Sequence, residues 1–142
     1  MGDSTNELVG QCLCGSVRLR ALPEALHADA CHCGMCRRWG GGPAMTINCG
    51  ANVTVEQGEA VLRRFDSSGW AQRGFCGDCG SHLFYRLKPQ DLYFVPAGLF
   101  GPIEGLEFTT EIFIDSKPPW YAFANPTRKM TEAEVVAAFG AG

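Results

Sequence analysis

Charge is the first thing this sequence has little of. Its 12 basic and 15 acidic side chains make up 19% of 142 residues, against roughly 25% in an average chain. The net charge is −3 and no block of like charge stands out, so nucleic acid has no electrostatic footprint to bind, although Arg18, Arg20, Arg37, Arg38, Arg63, Arg64 and Arg73 offer scattered basic ground. No apolar run approaches the ~18 residues that a membrane span requires. Met1 to Gly10 lacks a basic segment followed by an apolar one, so no secretory leader is read there. Met1-Gly2 opens as a myristoylation signal does, but Asn6 stands where that pattern takes Ser or Thr. Neither an internal repeat nor a low-complexity linker interrupts the chain. The expectation is a cytoplasmic protein with no membrane or nucleic-acid partner, folded as one domain over residues 1–142 with its core at about 10–125.

What the chain does have is sulfur. Eight cysteines are many for this length, and in a reducing compartment disulfides are the less favoured use for them. Seven fall into tight groups, Cys12/Cys14, Cys31/Cys33/Cys36 and Cys76/Cys79, while Cys49 stands apart. Disulfide frameworks scatter their cysteines. Gaps of one or two residues suit a metal, because a single turn then aims two sulfurs at one ion. Zinc is the expected ion, and it takes four donors. Seven sulfurs divide as four plus three: a closed four-thiolate site is scaffolding, and a three-thiolate site with one position open is the pattern of catalytic zinc. Spacing leaves open which pairs share an ion. Cys12/Cys14 with Cys76/Cys79 is the simplest closed set, and Cys31/Cys33/Cys36 could take a fourth sulfur from Cys49.

Around the cysteines the pattern is mainly β. Val17 and Leu19 alternate with Arg18 and Arg20, the period of a half-buried strand, and Cys12 and Cys14 are read as sharing a strand face. Leu26, Ala28 and Ala30 form a second strand that feeds Cys31. Gly40-Gly41-Gly42-Pro43 is a loop, since consecutive glycines hold neither helix nor strand well. Further strands are read at Ala44 to Cys49, Val53 to Val55, Ala60 to Phe65, Leu83 to Leu87, Asp91 to Val95 and Phe108 to Ile114, with Pro118-Pro119 ending the last, and Trp70 to Cys76 leads into the C-x-x-C-G turn at Cys76 to Gly80. Thr131-Glu132-Ala133-Glu134 is a capping box that opens a short helix over about 131–139, stopped by Gly140. Everything before it reads as β.

Four segments, in order, resemble one known family. They are Gly10-Gln11-Cys12-Leu13-Cys14-Gly15-Ser16-Val17, Cys31-His32-Cys33-Gly34-Met35-Cys36-Arg37-Arg38, Phe75-Cys76-Gly77-Asp78-Cys79-Gly80-Ser81-His82-Leu83 and Ile112-Phe113-Ile114-Asp115-Ser116-Lys117-Pro118-Pro119-Trp120. The family is that of the glutathione-dependent formaldehyde-activating (GFA) enzymes, carbon–sulfur lyases. The resemblance implies several small, coiled antiparallel sheets around zinc, akin to methionine sulfoxide reductase B, with the short C-terminal helix added. It implies two zinc ions per chain: a structural one on Cys12, Cys14, Cys76 and Cys79, and a catalytic one on Cys31, Cys33 and Cys36. One departure stands out, since the family often has His where this chain has Glu111.

The implied reaction adds glutathione or a similar small-molecule thiol to formaldehyde or another small aldehyde, giving S-hydroxymethylglutathione without redox chemistry. A thiol at an open zinc position loses its proton readily and is held beside the electrophile. Zinc could instead polarise the aldehyde oxygen. His32 is a candidate for proton transfer or substrate contact, and Arg37 and Arg38 are candidates for the carboxylates of the thiol. Cys49 reads as a small buried residue, His82 as part of the surroundings of the structural site, and Trp39, Trp70 and Trp120 as core or pocket wall. The competing reading is a non-catalytic, zinc-stabilised binding module, and a third is redox sensing by metal-free Cys31, Cys33 and Cys36. A homo-oligomer stays open.

Overall fold

The structure, a computed structural model, describes residues 6–139. Its strands run β1 Leu8–Gln11, β2 Arg18–Ala21, β3 His27–Cys31, β4 Ala44–Asn48, β5 Val53–Gln57 and β6 Leu62–Asp66. They continue with β7 Ala71–Cys76, β8 His82–Leu87, β9 Leu92–Pro96, β10 Glu107–Ile112 and β11 Arg128–Met130. Helix α1 spans Gly34–Gly40 and α2 spans Glu132–Phe139. The protein is therefore mainly β with a short C-terminal helix, as its alternating apolar pattern implies. No helix among the described residues is long and apolar enough to cross a membrane.

The residues cluster into two compact units. One comprises the chain up to Leu26 together with Ile47–Gly105, and the other comprises His27–Thr46 and the chain from Leu106 onward. In the first unit β1, β2 and β5 form an antiparallel sheet, with Leu8 facing Ala21 and Ala21 facing Val53. Leu19 and Ala21 are fully buried while Arg18 is exposed and Arg20, between them, is half-buried, which is the two-residue period put to use. The strands β6, β7, β8 and β9 form an antiparallel meander. Leu83, Leu87, Val95 and Ala71 supply its buried side chains.

In the second unit β10 pairs in parallel with both β3 and β11. Antiparallel pairing therefore does not describe β10, whose two parallel pairings join segments far apart in sequence, which local periodicity does not register. Phe113, Met130 and Val135 form a buried cluster, with Cys31, Cys33, Ile112 and Phe139 packed against it. The capping box forms as read: the Thr131 amide donates to Glu134 Oε1 at 2.8 Å and the Glu134 amide to Thr131 Oγ1 at 3.3 Å. The stop at Gly140 lies outside the described residues.

Three local readings are corrected. Cys12 and Cys14 do not share a strand; they lie in the turn between β1 and β2. The chain before α2 is not all β, because α1 follows the cysteine cluster directly. Its N-cap is Cys33, whose sulfur accepts from the Cys36 amide, and its C-cap is Gly41, so only the end of the glycine run is loop. Finally, β10 ends at Ile112 and a 3-10 turn over Ile114–Ser116 follows, so Pro118-Pro119 closes no strand, and β11 comes after it.

Candidate metal centres and their surroundings

Two tight turns build the first centre. Cys12 O accepts from the Gly15 amide at 3.0 Å, and Cys76 O accepts from the Gly80 amide at 2.8 Å. Both glycines have left-handed φ, +81° and +80°, a conformation that a Cβ disfavours. Backbone amides point at sulfur in each turn: Val17 N to Cys12 Sγ at 3.3 Å, and Asp78 N to Cys76 Sγ at 3.4 Å. Ser16 Oγ donates to Asp78 Oδ2 at 3.0 Å and the Leu13 amide to Ser81 Oγ at 3.0 Å, which ties the turns together. The sulfurs of Cys12, Cys14, Cys76 and Cys79 all lie within 4.8 Å of one another.

Amide and hydroxyl donors favour thiolate. Hydrogen bonds from the Ser81 side chain and backbone bring Cys79 down to about 5. Burial pushes Cys12 up, but the Val17 amide and the neighbouring Cys76 and Cys14 leave it below its ordinary value. Cys76 is pushed up to about 11, mainly by burial. A group of four sulfurs, partly primed as thiolate, is a donor set suited to a soft divalent ion.

The second centre sits at the corner between β3 and α1. Cys31 ends β3, Cys33 caps α1 and Cys36 lies in its first turn. Their three sulfurs also lie within 4.8 Å of one another. The Cys36 amide donates to Cys33 Sγ at 3.3 Å. The neighbouring Cys33 and Cys36, and then burial, hold the Cys31 thiol far above its ordinary value. Three sulfurs this close resist joint ionisation unless a cation is among them. Both sulfur groups could therefore hold a metal ion.

Cys49 joins neither group among the described residues. It is buried, its thiol donates to Ile47 O at 3.5 Å, and burial pushes it up to about 12. Its place is that of a small core residue. Arg37 Nε donates to His32 O at 3.3 Å, while Arg38 is exposed. His82 is half-buried and lines an open cleft of about 560 Å³ with Gln11, Leu13, Ser81, Pro96 and Leu99. Burial, followed by the charge of Arg73, lowers its pKa. Trp120 is 70% exposed and stacks on Tyr121 at 4.6 Å between ring centroids, so it is not core.

His32 is fully buried, although Cys31 and Cys33 flank it. Its Nε2 lies 2.8 Å from Glu111 Oε1 and its Nδ1 lies 2.6 Å from the Tyr121 hydroxyl. Glu111, 1% exposed, also accepts from Thr127 Oγ1 at 2.5 Å and lies 3.7 Å from Lys129 Nζ. Burial raises Glu111, but hydrogen bonds from Thr127 and His32 and the charge of Lys129 carry it below its ordinary value. This arrangement of Glu111, Thr127 and Tyr121 around His32 was not legible in the sequence. The available signal was an acidic residue set among apolar neighbours at the end of a strand, Glu111-Ile112-Phe113, where burial of a carboxylate requires a partner.

A β protein with one four-sulfur and one three-sulfur cluster has two cysteine groups that could each hold a metal ion. Residues 7–116 match the family described as glutathione-dependent formaldehyde-activating enzyme, and the chain belongs to that family. An uncharacterized lyase of Schizosaccharomyces pombe is 37% identical over 131 residues, covering 92% of this chain and 95% of its own. A Halomonas elongata protein carrying the provisional name of glutathione-dependent formaldehyde-activating enzyme is 27% identical over 125 residues, covering 80% and 78%. A crystal structure of a Rhodobacter sphaeroides protein shares the fold, with a TM-score of 0.58 at 22% identity over 72% of this chain and all of that one.

Proposed function

We propose that this chain is a zinc-dependent carbon–sulfur lyase of GFA type, which joins a thiol such as glutathione to formaldehyde or a similar small electrophile. In this reading residues 1–142 act as one domain in the cytoplasm, with Cys12, Cys14, Cys76 and Cys79 holding a structural ion. Cys31, Cys33 and Cys36 hold the catalytic one. The observation that carries the reading is the second cluster: three sulfurs within 4.8 Å of one another, where zinc takes four donors. Zinc bound there supplies a positive centre that favours thiolate over thiol.

The chain's own residues do the rest. Cys33 and Cys36 are fixed by the first turn of α1, so the trio is held rigid before any substrate arrives. Arg37 has one guanidinium N–H committed to His32 O, and its others are available for a substrate carboxylate. Arg38, exposed next to it, offers a second cation. Both ring nitrogens of His32 have protein partners, so any proton it moves passes by way of Glu111 or Tyr121.

The test is formaldehyde–glutathione exchange followed by NMR, with zinc content measured on the same sample. Acceleration over the uncatalysed exchange, abolished in Cys33→Ser, is the expected result. A fully zinc-loaded chain that leaves the exchange rate unchanged refutes the assignment.

A further inference from the structure

We infer that Tyr121 is a further catalytic residue, whose hydroxyl is oriented by the buried Glu111–His32 pair and accepts a hydrogen bond from the thiol substrate at the three-cysteine cluster. The inference rests on the proposed reaction for its substrate class and on the geometry for its residues.

The hydrogen-bond chain has a direction. Glu111 is acceptor-only as a carboxylate: Oε2 takes the Thr127 hydroxyl at 2.5 Å and Oε1 faces His32 Nε2 at 2.8 Å. Nε2 therefore carries the imidazole proton, and Nδ1 is left to accept. The group 2.6 Å from Nδ1 is the Tyr121 hydroxyl, which donates to it. With its proton directed at His32, the phenol oxygen presents lone pairs, and the guest it suits is a donor, such as the S–H or an amide N–H of a peptide-like thiol.

The location suits that guest. His32 is the residue between Cys31 and Cys33, so Tyr121 is bonded to the segment that carries the cluster. Burial raises the Tyr121 phenol, with the charge of Arg37 opposing the rise and those of Glu111 and Cys31 adding to it. Lys117 Nζ lies 4.9 Å from the Tyr121 ring centroid, and the exposed Trp120 packs against the same ring at 4.6 Å between centroids, tilted by 57°. A half-buried tyrosine with Lys117 over its ring, and with Arg37 on the carbonyl of its histidine partner, is chemistry that recognises an anionic thiol. A purely structural tyrosine needs neither the cations nor a carboxylate-anchored imidazole behind its hydroxyl. That carboxylate is itself expensive to bury and remains because two donors and a lysine compensate it.

The experiment compares the zinc-loaded full chain with Tyr121→Phe and Glu111→Gln. It records zinc per chain, thermal melting, exchange kinetics with glutathione and formaldehyde, and glutathione binding by tryptophan fluorescence, for which Trp120 is the reporter. Tyr121→Phe is expected to keep its zinc, to melt lower because the buried His32 Nδ1 loses its donor, and to lose about tenfold in accelerated rate, the weight of one hydrogen bond to a reacting group. Glu111→Gln, which keeps an oxygen for His32, is expected to lower kcat in the same direction while leaving the KM for glutathione in place. Wild-type rate and affinity in Tyr121→Phe overturn the inference and leave the proposed reaction standing. If the wild-type chain itself shows no acceleration, the proposed reaction fails, and binding then decides: weaker glutathione binding in Tyr121→Phe supports the contact, and an unchanged Kd overturns it.

Discussion

Glu111 keeps a carboxylate in the interior, 1% exposed, because Thr127, His32 and Lys129 together offset its lost hydration. Removing it strands the His32 Nε2 donor, so Glu111→Ala should cost about 3–5 kcal/mol of stability by chemical denaturation. The pH dependence follows from its folded pKa lying below the ordinary value near 4.5. The stability it contributes is fully present above that value and is lost as pH falls through the folded pKa. The acid limb of the stability curve should therefore be shallower in Glu111→Gln than in the wild type, and superimposable limbs would contradict the ionised pair. The cysteines differ as sharply from one another. Cys76→Ser should abolish folding, since a structural zinc site contributes on the order of 10 kcal/mol, whereas Cys33→Ser should fold and lack one ion. Circular dichroism with metal analysis distinguishes the two.

Elements depend on smaller effects. Thr131 caps α2 through both halves of its box, and Thr131→Ala should cost about 1 kcal/mol in a denaturant titration. In β7, a Cβ at Gly74 would stand 2.4 Å from Phe84 Cζ, and the Phe84 ring is 97% buried against the edge of Tyr93 at 5.1 Å. Gly74→Ala should therefore lower stability by about 1–3 kcal/mol through overpacking, read from the melting temperature. Strands were legible wherever apolar and polar residues alternate, as in β2 and β3, because burial on one face imposes that period. Helix α1 was not legible: it is seven residues long, begins and ends in glycine, and takes its N-cap from a cysteine that reads as a metal ligand. The Cys12–Cys14 turn misled in another way. Residues two apart share a face on a strand, but here a left-handed Gly15 and its amide bond to Cys12 O bring the sulfurs together. Beyond the cysteines, the site resisted reading because His32, Glu111, Tyr121 and Thr127 meet only through the parallel pairing of β3 with β10 and the segment after it.

At the scale of the whole molecule, each compact unit carries one sulfur cluster, four cysteines in the first and three in the second. That division agrees with the four-plus-three reading of the spacing, and the family match over residues 7–116 covers both clusters. It also makes the clusters separable in experiment, because an ion that stabilises one unit need not stabilise the other. The most direct measurement is the zinc-to-chain ratio followed through a stepwise chelator titration, with folding monitored in the same cuvette. The account predicts two ions per chain, one leaving early without loss of structure and the second leaving only as the fold is lost. A ratio of one, or the loss of both ions in a single step with unfolding, would contradict it.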